Sequence, residues 1–442
     1  MNQLDIKVTV NSANSLQFQY KGNTLSFRRM DGIEEFRRST FSCDLSIDLC
    51  NIIGLISTIE RLIPRQEIYK IHISLPILSL ERWQDSEIIN ELKIMISQFT
   101  INDYIFDFYS FVKSSAKMRD QIVMELGDEA EVSLWSGGLD SLSGFLNRYL
   151  ENPNKEYVLV GFGFQRCAFG KQRNLHEKIN KLFPNAKIER YRVFHDIAGA
   201  PKKYPNPSFR MRGLLFLVEG LYASKLFCSD TLYLHENGIG AFNIPFPGSG
   251  HWDRSLTANP AILSIVSKFY SKLIGSERRI INPFLFFTKG EMCEVFILNI
   301  LKFSNILELS SSCDSNHRQK DKPGQCGYCS SCLLRRQGIL NAGLEDPTRY
   351  SYPYLNDVKR MKHFTQFTNQ ADLWKGFLLV GVDQVYQQDP IIYESKKYMM
   401  KELNISGEEF DQKFSKLIQS QICEWDKFVR FIGIGNSQTQ IA

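Results

Sequence analysis

The sequence lacks the features that would direct a protein into a membrane or out of the cell. Its longest apolar stretches, such as 213–218 and 295–301, are far below the roughly 18–20 residues that a membrane-spanning helix needs. The first residues contain no basic segment followed by an apolar run, so no signal peptide is predicted. We therefore expect a cytoplasmic protein whose 10 cysteines are buried, metal-bound or reactive and not paired in disulfides.

A strong charge of either sign is also missing. A net charge of +5 over 442 residues is too small to indicate a nucleic-acid partner. The motif Gly-x-x-x-x-Gly-Lys-Ser/Thr is absent, which disfavours a P-loop kinase or GTPase. With 43% hydrophobic and 23% charged residues, the composition is that of an ordinary globular protein, and the length predicts two or three domains.

The hydrophobic pattern divides the chain into three predicted regions. Residues 1–125 contain short alternating runs, which are typical of strands, and we interpret them as a β-rich accessory domain without catalytic residues. Residues 126–345 alternate strands with helices, the pattern of an α/β fold with a mostly parallel sheet and helices on both faces. Residues 346–442 are predicted to form a helical C-terminal extension.

A glycine-rich loop follows the predicted strand 131–135 and precedes an amphipathic helix. It contains Ser136, Gly137, Gly138, Leu139, Asp140 and Ser141. The two glycines let backbone N–H groups turn inward, the serines add hydroxyl donors, and the helix directs its positive end at the same place. This combination predicts a nest for phosphate groups. The alternative is a serine-rich turn in which Asp140 only caps the helix.

The same loop resembles the Ser-Gly-Gly-x-Asp-Ser loop of the N-type ATP pyrophosphatases. The resemblance implies an adenine nucleotide alpha hydrolase-like fold that binds the β- and γ-phosphates of ATP and splits ATP into AMP and pyrophosphate. It also implies that Asp140 helps to hold Mg²⁺ or to orient the phosphates, since a carboxylate beside a phosphate nest would repel the ligand without a cation.

Four cysteines form the second motif: Cys313, Cys326, Cys329 and Cys332. Four thiolates suit tetrahedral Zn²⁺, and a closed set of four leaves no open position for catalysis. We therefore predict a structural zinc ion. An iron–sulfur cluster is the main alternative, because thiolates bind both metals, and a redox pair is a weaker one.

The run from Cys326 to Gly338 reads Cys-Gly-x-Cys-x-x-Cys-x-x-Arg-x-x-Gly. Together with the phosphate loop, it resembles QueC, the 7-cyano-7-deazaguanine synthase family. The segments 207–217 and 282–291 are similar to further segments of that family, and the resemblance covers about residues 130–345.

The resemblance to QueC implies two ATP-driven steps on 7-carboxy-7-deazaguanine. The carboxylate is adenylated, ammonia displaces AMP to give an amide, and a second activation yields the nitrile. On this interpretation Arg212 and Lys289 neutralise charge on the α-phosphate or on the adenylate. The alternative for each is an ordinary surface or helix-end cation.

Three departures from QueC affect the predicted acceptor. Gly213 replaces the family's asparagine after Arg212, the segment 235–245 differs from the substrate-facing Asp-x-Ser-Gly-Tyr-Pro-Asp, and both flanks are additional. Chains of this extended form resemble the QueC-like proteins of bacterial antiphage operons, the QatC type. That resemblance implies that an activated deazapurine acid is passed to an amine on a partner protein from the same operon.

Two other functions stay open from the sequence. A tRNA-modifying pyrophosphatase would need a basic RNA surface and catalytic thiols, and neither stands out. A non-catalytic ATP-sensing subunit would use the flanks for docking. The oligomeric state is open as well, and a homodimer is compatible with the sequence.

Overall fold

The computed structural model describes most of the chain. The described residues are 2–12, 15–33, 43–111, 130–163, 166–201, 203–206, 210–249, 254–298, 300–314, 324–353, 355 and 361–438. The first part of the QueC-like segment, at 207–209, lies outside these residues.

The strands include all those predicted for the central region. They are β1 (Asn2–Ser12), β2 (Ser15–Tyr20), β3 (Asn23–Ile33), β4 (Tyr69–Ile77), β5 (Asp103–Ser110), β6 (Glu131–Trp135), β7 (Tyr157–Gly163), β8 (Ile188–Ala198), β9 (Thr231–Tyr233) and β10 (Arg279–Ile281).

The helices lie between and after these strands. They are α1 (Asp44–Leu62), α2 (Leu80–Trp83), α3 (Ser86–Ser97), α4 (Leu139–Glu151), α5 (Arg166–Leu182), α6 (Arg210–Leu226), α7 (Gly238–Phe242), α8 (Pro260–Ile274), α9 (Lys289–Cys293), α10 (Val295–Leu298), α11 (Ile300–Leu307), α12 (Ser330–Asn341), α13 (Lys362–Val380), α14 (Asp383–Gln388), α15 (Pro390–Glu402) and α16 (Gly407–Gln438). Among the described helices, none has both the length and the apolar character that crossing a membrane requires.

The strands form a ten-stranded sheet in the order β10-β9-β6-β7-β8-β3-β2-β1-β4-β5. The neighbours run parallel except for β8–β3, β3–β2 and β2–β1. The mostly parallel sheet, the strand-rich N-terminal part and the helical C-terminal region confirm the predicted fold class. The domain boundaries at 125 and 345 stay predictions.

The N-terminal strands continue the sheet of the central region, because β3 pairs with β8 from Ser26↔Ala198 to Ile33↔Tyr191. A buried ion pair reinforces this junction. Arg29 on β3 donates from Nε to both carboxylate oxygens of Glu219 on α6, each at 2.8 Å. Burying two charges is costly unless they are paired, so this contact ties β3 to α6 specifically.

Helices cover both faces of the sheet, as predicted. Neighbouring residues of a strand point to opposite faces. Leu134 and Val160 belong to a core that includes α1, α6 and α8, whereas Trp135 and Leu159 belong to a core that includes α4, α5 and α12. The carboxyl ends of β6 and β7 therefore lie between these two helical layers.

The C-terminal helices pack on the segments that follow β9 and β10. Phe414 and Leu417 of α16 share a core with Ile239 and Phe242 of α7 and with Leu285, which follows β10. The extension is thus packed against the segment that the QueC resemblance assigns to the substrate.

Candidate active site

The phosphate loop adopts the turn that its two glycines predict. Gly137 has φ +76°, a left-handed conformation that side chains rarely adopt, and Gly138 is the N-cap of α4. The Gly138 N–H donates to Ser136 Oγ at 3.1 Å, and Ser136 Oγ lies 3.1 Å from Ser141 Oγ. Two hydroxyls thus lie together beside the amino end of α4, where β6 ends.

Asp140 and Lys289, 149 residues apart in the sequence, form an ion pair in the structure. Asp140 lies in the first turn of α4, and Lys289 is the first residue of α9 and is only 5% exposed. Burial opposes the charge of Lys289, but Asp140 and Glu236 outweigh that effect and raise its pKa. Lys289 is therefore not an exposed surface cation, and its predicted role at the α-phosphate stays a prediction.

Glu236 is a site residue to which sequence reasoning assigned no role. Asn237 Nδ2 donates to Asp140 Oδ1 at 3.1 Å and to Glu236 Oε1 at 2.8 Å, so one amide bridges two carboxyl groups. Burial, and next the charge of Asp140, raise the pKa of Glu236 to about 8, although Lys289 opposes this. The sequence feature that could have indicated Glu236 is an acidic residue shortly after the predicted strand that corresponds to β9.

The Thr-x-x-Glu spacing of Thr288 and Glu291 predicts a capping box, and this capping box is present and fixes the backbone around Lys289. Thr288 Oγ1 accepts from the Glu291 N–H at 3.1 Å, and Glu291 Oε2 accepts from the Thr288 N–H at 2.7 Å. The stem of Lys289 lies on Gly338 of α12, where a Cβ atom would be 2.8 Å from Lys289 Cγ. The last glycine of the cysteine motif therefore leaves the space that the lysine occupies.

Arg212 lies in the first turn of α6 and is exposed. Desolvation by the surrounding protein lowers its pKa, the charge of Arg61 lowers it further, and Asp314 acts in the opposite direction. Accessible surface together with desolvation is typical of a side chain that lines a cleft. Its predicted role at the α-phosphate stays a prediction.

The glycine after Arg212 has a packing reason. A Cβ atom at Gly213 would collide with Thr257 Oγ1, so the asparagine found there in QueC cannot be accommodated unless the chain near Thr257 moves.

The four predicted cysteines form a compact cluster, with their Sγ atoms all within 4.8 Å of one another. Cys326 Sγ and Cys332 Sγ are 3.9 Å apart, which matches the roughly 3.8 Å expected for sulfurs bound tetrahedrally at about 2.3 Å from zinc. A four-iron cluster would hold its ligand sulfurs further apart because an inorganic cube lies between them. The arrangement can hold a zinc ion.

The segment that leads into Cys313 crosses the phosphate loop, a contact that the sequence analysis missed. Ser311 N–H donates to Gly137 O at 2.9 Å, and Ser312 Oγ accepts from the Leu139 N–H at 3.2 Å. Lys171 on α5 donates to Ser311 Oγ at 3.3 Å. The available signal was the run of three serines before the first cysteine.

Arg335 anchors this crossing segment. It is fully buried and donates to Ser310 Oγ at 2.7 Å and to Leu307 O at 2.9 Å. Gln325 Oε1 accepts from the Ser312 N–H at 3.1 Å. Arg335 of the cysteine motif and Gln325, which directly precedes it, therefore hold Ser310 and Ser312 in place beside the glycine-rich loop.

No protein-family profile matches the chain. Among curated proteins, it is similar to 7-cyano-7-deazaguanine synthases from several organisms. The protein from Gloeobacter violaceus is 30% identical over 31% of this chain and 53% of its own length. The one from Hydrogenovibrio crunogenus is 27% identical over 32% of this chain and 55% of its own length. The one from Thermoplasma volcanium is 29% identical over 50% of this chain and 91% of its own length.

The chain thus spans about half the length of the first two of these relatives and most of the third. The predicted resemblance to the 7-cyano-7-deazaguanine synthases is confirmed. The resemblance to the antiphage QatC type stays a prediction.

Proposed function

We propose that this protein is an ATP-dependent ligase or synthase that adenylates the carboxylate of a deazapurine acid, of the 7-carboxy-7-deazaguanine type, for attack by an amine. The observation that carries the proposal is the ion pair between the buried Lys289 and Asp140, which lies in the first turn of α4. A buried lysine aimed at a phosphate nest is suited to a reaction in which negative charge develops on phosphorus.

The triphosphate would bind to the loop between β6 and α4. The donors are the backbone N–H groups of Gly138 and Leu139 and the hydroxyls of Ser136 and Ser141, with Ser312 on the opposite side. In the structure, Ser136 Oγ accepts from the Gly138 N–H and Ser312 Oγ accepts from the Leu139 N–H. When ATP binds, phosphate oxygens would replace these two hydroxyls as the acceptors. Ser136, Gly137, Gly138, Leu139, Asp140 and Ser141 therefore keep their predicted role as ATP-binding residues in this proposal.

Mg²⁺ would be held by Asp140 and Glu236. Carboxylate oxygens are the ligands that Mg²⁺ prefers, and the two carboxyl groups share one bridging amide. The raised pKa of Glu236 fits such a site, because a proton offsets the repulsion between the carboxyl groups when no cation is present. The bound ion would supply charge neutralisation for the phosphates.

In the proposed chemistry, a carboxylate oxygen of the substrate attacks the α-phosphorus of ATP. The bond to the bridging oxygen of the β-phosphate breaks, and pyrophosphate leaves with that electron pair. The amine nitrogen then attacks the activated carbonyl carbon, AMP departs and the amine loses a proton. Lys289, with Arg212 at the cleft, would stabilise the charge on the α-phosphate in both steps.

The acceptor is proposed to be an amine on a partner protein. Support comes from the segment 235–245, which differs from QueC and on which the added helix α16 packs through Leu417. Zinc is proposed to be structural, because the four thiolates leave no open position and hold the serine segment beside Cys313.

The test is to incubate the protein with ATP, Mg²⁺ and 7-carboxy-7-deazaguanine and to measure AMP and pyrophosphate, with and without ammonium. We expect both products, and a rate about a hundredfold lower for Asp140→Asn. Asp426→Asn, which alters an exposed carboxylate on α16, is the control and should match the wild type. ATP binding without AMP would indicate the sensor alternative, and no ATP binding would refute the proposal.

If AMP forms but ammonium does not raise its rate, the acceptor is a different amine. Mass spectrometry of the products would then identify it: the proposal expects a deazapurine amide on protein. Turnover stimulated only by tRNA would instead support the tRNA-modifying alternative.

A further inference from the structure

A carboxylate of the C-terminal helix α16 reaches the turn that carries Lys289. Glu424 is 8% exposed, and its Oε1 accepts a hydrogen bond from the hydroxyl of Thr288. Its Oε2 accepts from Gln337 Nε2 at 3.0 Å, and Gly290 packs against the same carboxylate. Two donors from two elements of the central region, Thr288 at the start of α9 and Gln337 of α12, therefore converge on one side chain of the extension.

The contact is closely fitted on both sides. A Cβ atom at Gly290 would overlap Glu424 Oε1, so the carboxylate occupies the space that this glycine leaves. Beside it, the side-chain amides of Gln337 and Gln421 exchange two hydrogen bonds of 3.0 Å. Asn341 Nδ2 donates to the Glu424 backbone carbonyl at 3.0 Å. Buried polar groups that satisfy one another in this way specify one docking position for α16.

This docking bears directly on Lys289. Thr288 and Gly290 flank Lys289 in the chain. Thr288 donates to Glu424, and Gly290 packs against the same carboxylate. The helix α9 is only five residues long, and its capping box holds the backbone between Thr288 and Glu291. The contact with Glu424 holds this short helix against α16 from outside. The aliphatic part of the Lys289 side chain packs against Gly338, and its ammonium group forms the ion pair with Asp140.

We propose that Glu424 is a positioning residue of the active site, through which the C-terminal extension holds Lys289 in its working orientation. The inference rests on the proposed function, in which Lys289 stabilises charge on the α-phosphate. On this inference the C-terminal extension contributes to catalysis. A chain without α16 would keep the glycine-rich loop, but Lys289 would be poorly positioned.

The test compares Glu424→Gln with Asp426→Asn, since both change a carboxylate of α16 to an amide. Within the described part of the chain, the carboxylate of Asp426 pairs with the exposed Lys375. In Glu424→Gln the charge is lost, and an amide N–H₂ must face either the Thr288 hydroxyl or the Gln337 amide N–H₂, both of which now donate to a carboxylate oxygen. This change weakens the contact between α16 and the turn at Lys289. We expect kcat for AMP formation to fall about tenfold to a hundredfold, with KM for ATP within about twofold of the wild type. Asp426→Asn should leave both constants unchanged.

A double variant separates positioning of Lys289 from a general structural effect. In a Lys289→Met background, Glu424→Gln should change the residual rate by less than about twofold, because its effect passes through the missing ammonium. The inference is wrong if Glu424→Gln has the same kcat as Asp426→Asn. It is also wrong if the reduction in kcat of the double variant equals the product of the reductions in the two single variants.

Thermal unfolding accompanies these measurements. If Glu424→Gln does not fold, Glu424→Asp replaces it: the carboxylate is kept but withdrawn by one methylene, and a lower kcat with an unchanged KM for ATP is again expected. A wild-type rate for Glu424→Asp would then overturn the inference. If the wild-type protein forms no AMP at all, the proposed function fails and the inference fails with it.

Discussion

Ser312 Oγ lies 3.2 Å from the backbone nitrogen of Leu139, the first residue of α4. A residue next to the metal-binding Cys313 thus contacts the helix end at which a phosphate would bind. The contact joins two residues 173 positions apart in the sequence and places the segment before the cysteine cluster beside the loop that we propose to bind ATP.

Ser312→Ala should weaken ATP binding because it removes one hydroxyl from the wall of the phosphate site. A lost hydrogen bond to a charged group costs about 1.5–3 kcal/mol, so we expect KM for ATP to rise about tenfold or more. Ser331→Ala is the control: its hydroxyl contacts Asp314 and lies in the same metal-binding region. Equal KM values for the two variants would contradict the proposed phosphate contact.

Removal of the metal should loosen the serine segment and lower ATP affinity. We expect metal analysis of the purified protein to find one zinc ion per chain and no iron. After treatment with a strong chelator, calorimetry should show weaker ATP binding, and added zinc should restore it. Iron with sulfide in the native protein would refute the zinc assignment, and unchanged ATP affinity in the metal-free protein would refute the coupling.

Gly338→Ala should displace Lys289, since the new methyl group would be 2.8 Å from Lys289 Cγ and 3.2 Å from its backbone carbonyl carbon. Because backbone as well as side chain must shift, we expect kcat to fall at least about tenfold, with ATP binding largely retained. Gly376→Ala is the matched control, because the space around that helical glycine of α13 is open. Normal kcat in Gly338→Ala would show that the exact position of Lys289 is unimportant.

ATP binding without Mg²⁺ should weaken as the pH rises through about 8. Below that pH Glu236 is protonated and neutral, and above it a second negative charge stands beside Asp140 and the phosphates. The loss is at most about tenfold per pH unit, because one proton is involved. Glu236→Gln stays neutral and should remove this dependence. A titration of ATP affinity from pH 6.5 to 9.5 that is identical in both proteins would contradict the assignment.

The features predicted correctly from the sequence are those that depend on neighbouring residues. The loop at 136–141 needs two adjacent glycines between a strand and a helix, and the capping box at 288–291 closes within four residues. The alternation of buried strands and amphipathic helices is equally local, which is why the fold class of the central region could be predicted. The cysteines at 326, 329 and 332 share one turn and the start of one helix.

The features that were missed depend on contacts between distant segments. The pairing of β3 with β8 and the hydrogen bond from Thr288 to Glu424 both join residues that are far apart in the sequence. Glu236 is one acidic residue among many in the chain, and only its bridge to Asp140 through Asn237 distinguishes it.

The sequence alone determined the parts of the candidate site: a glycine-rich loop between a strand and a helix, four cysteines suited to a metal ion and a lysine at the start of a capped helix. Their local geometry follows from backbone conformation and from ligand type, which a few adjacent residues specify. Only the tertiary structure decided which charges neutralise each other and which glycine makes room for which side chain. Those relationships arise from close packing between elements, and packing depends on all the surfaces that meet in the folded chain.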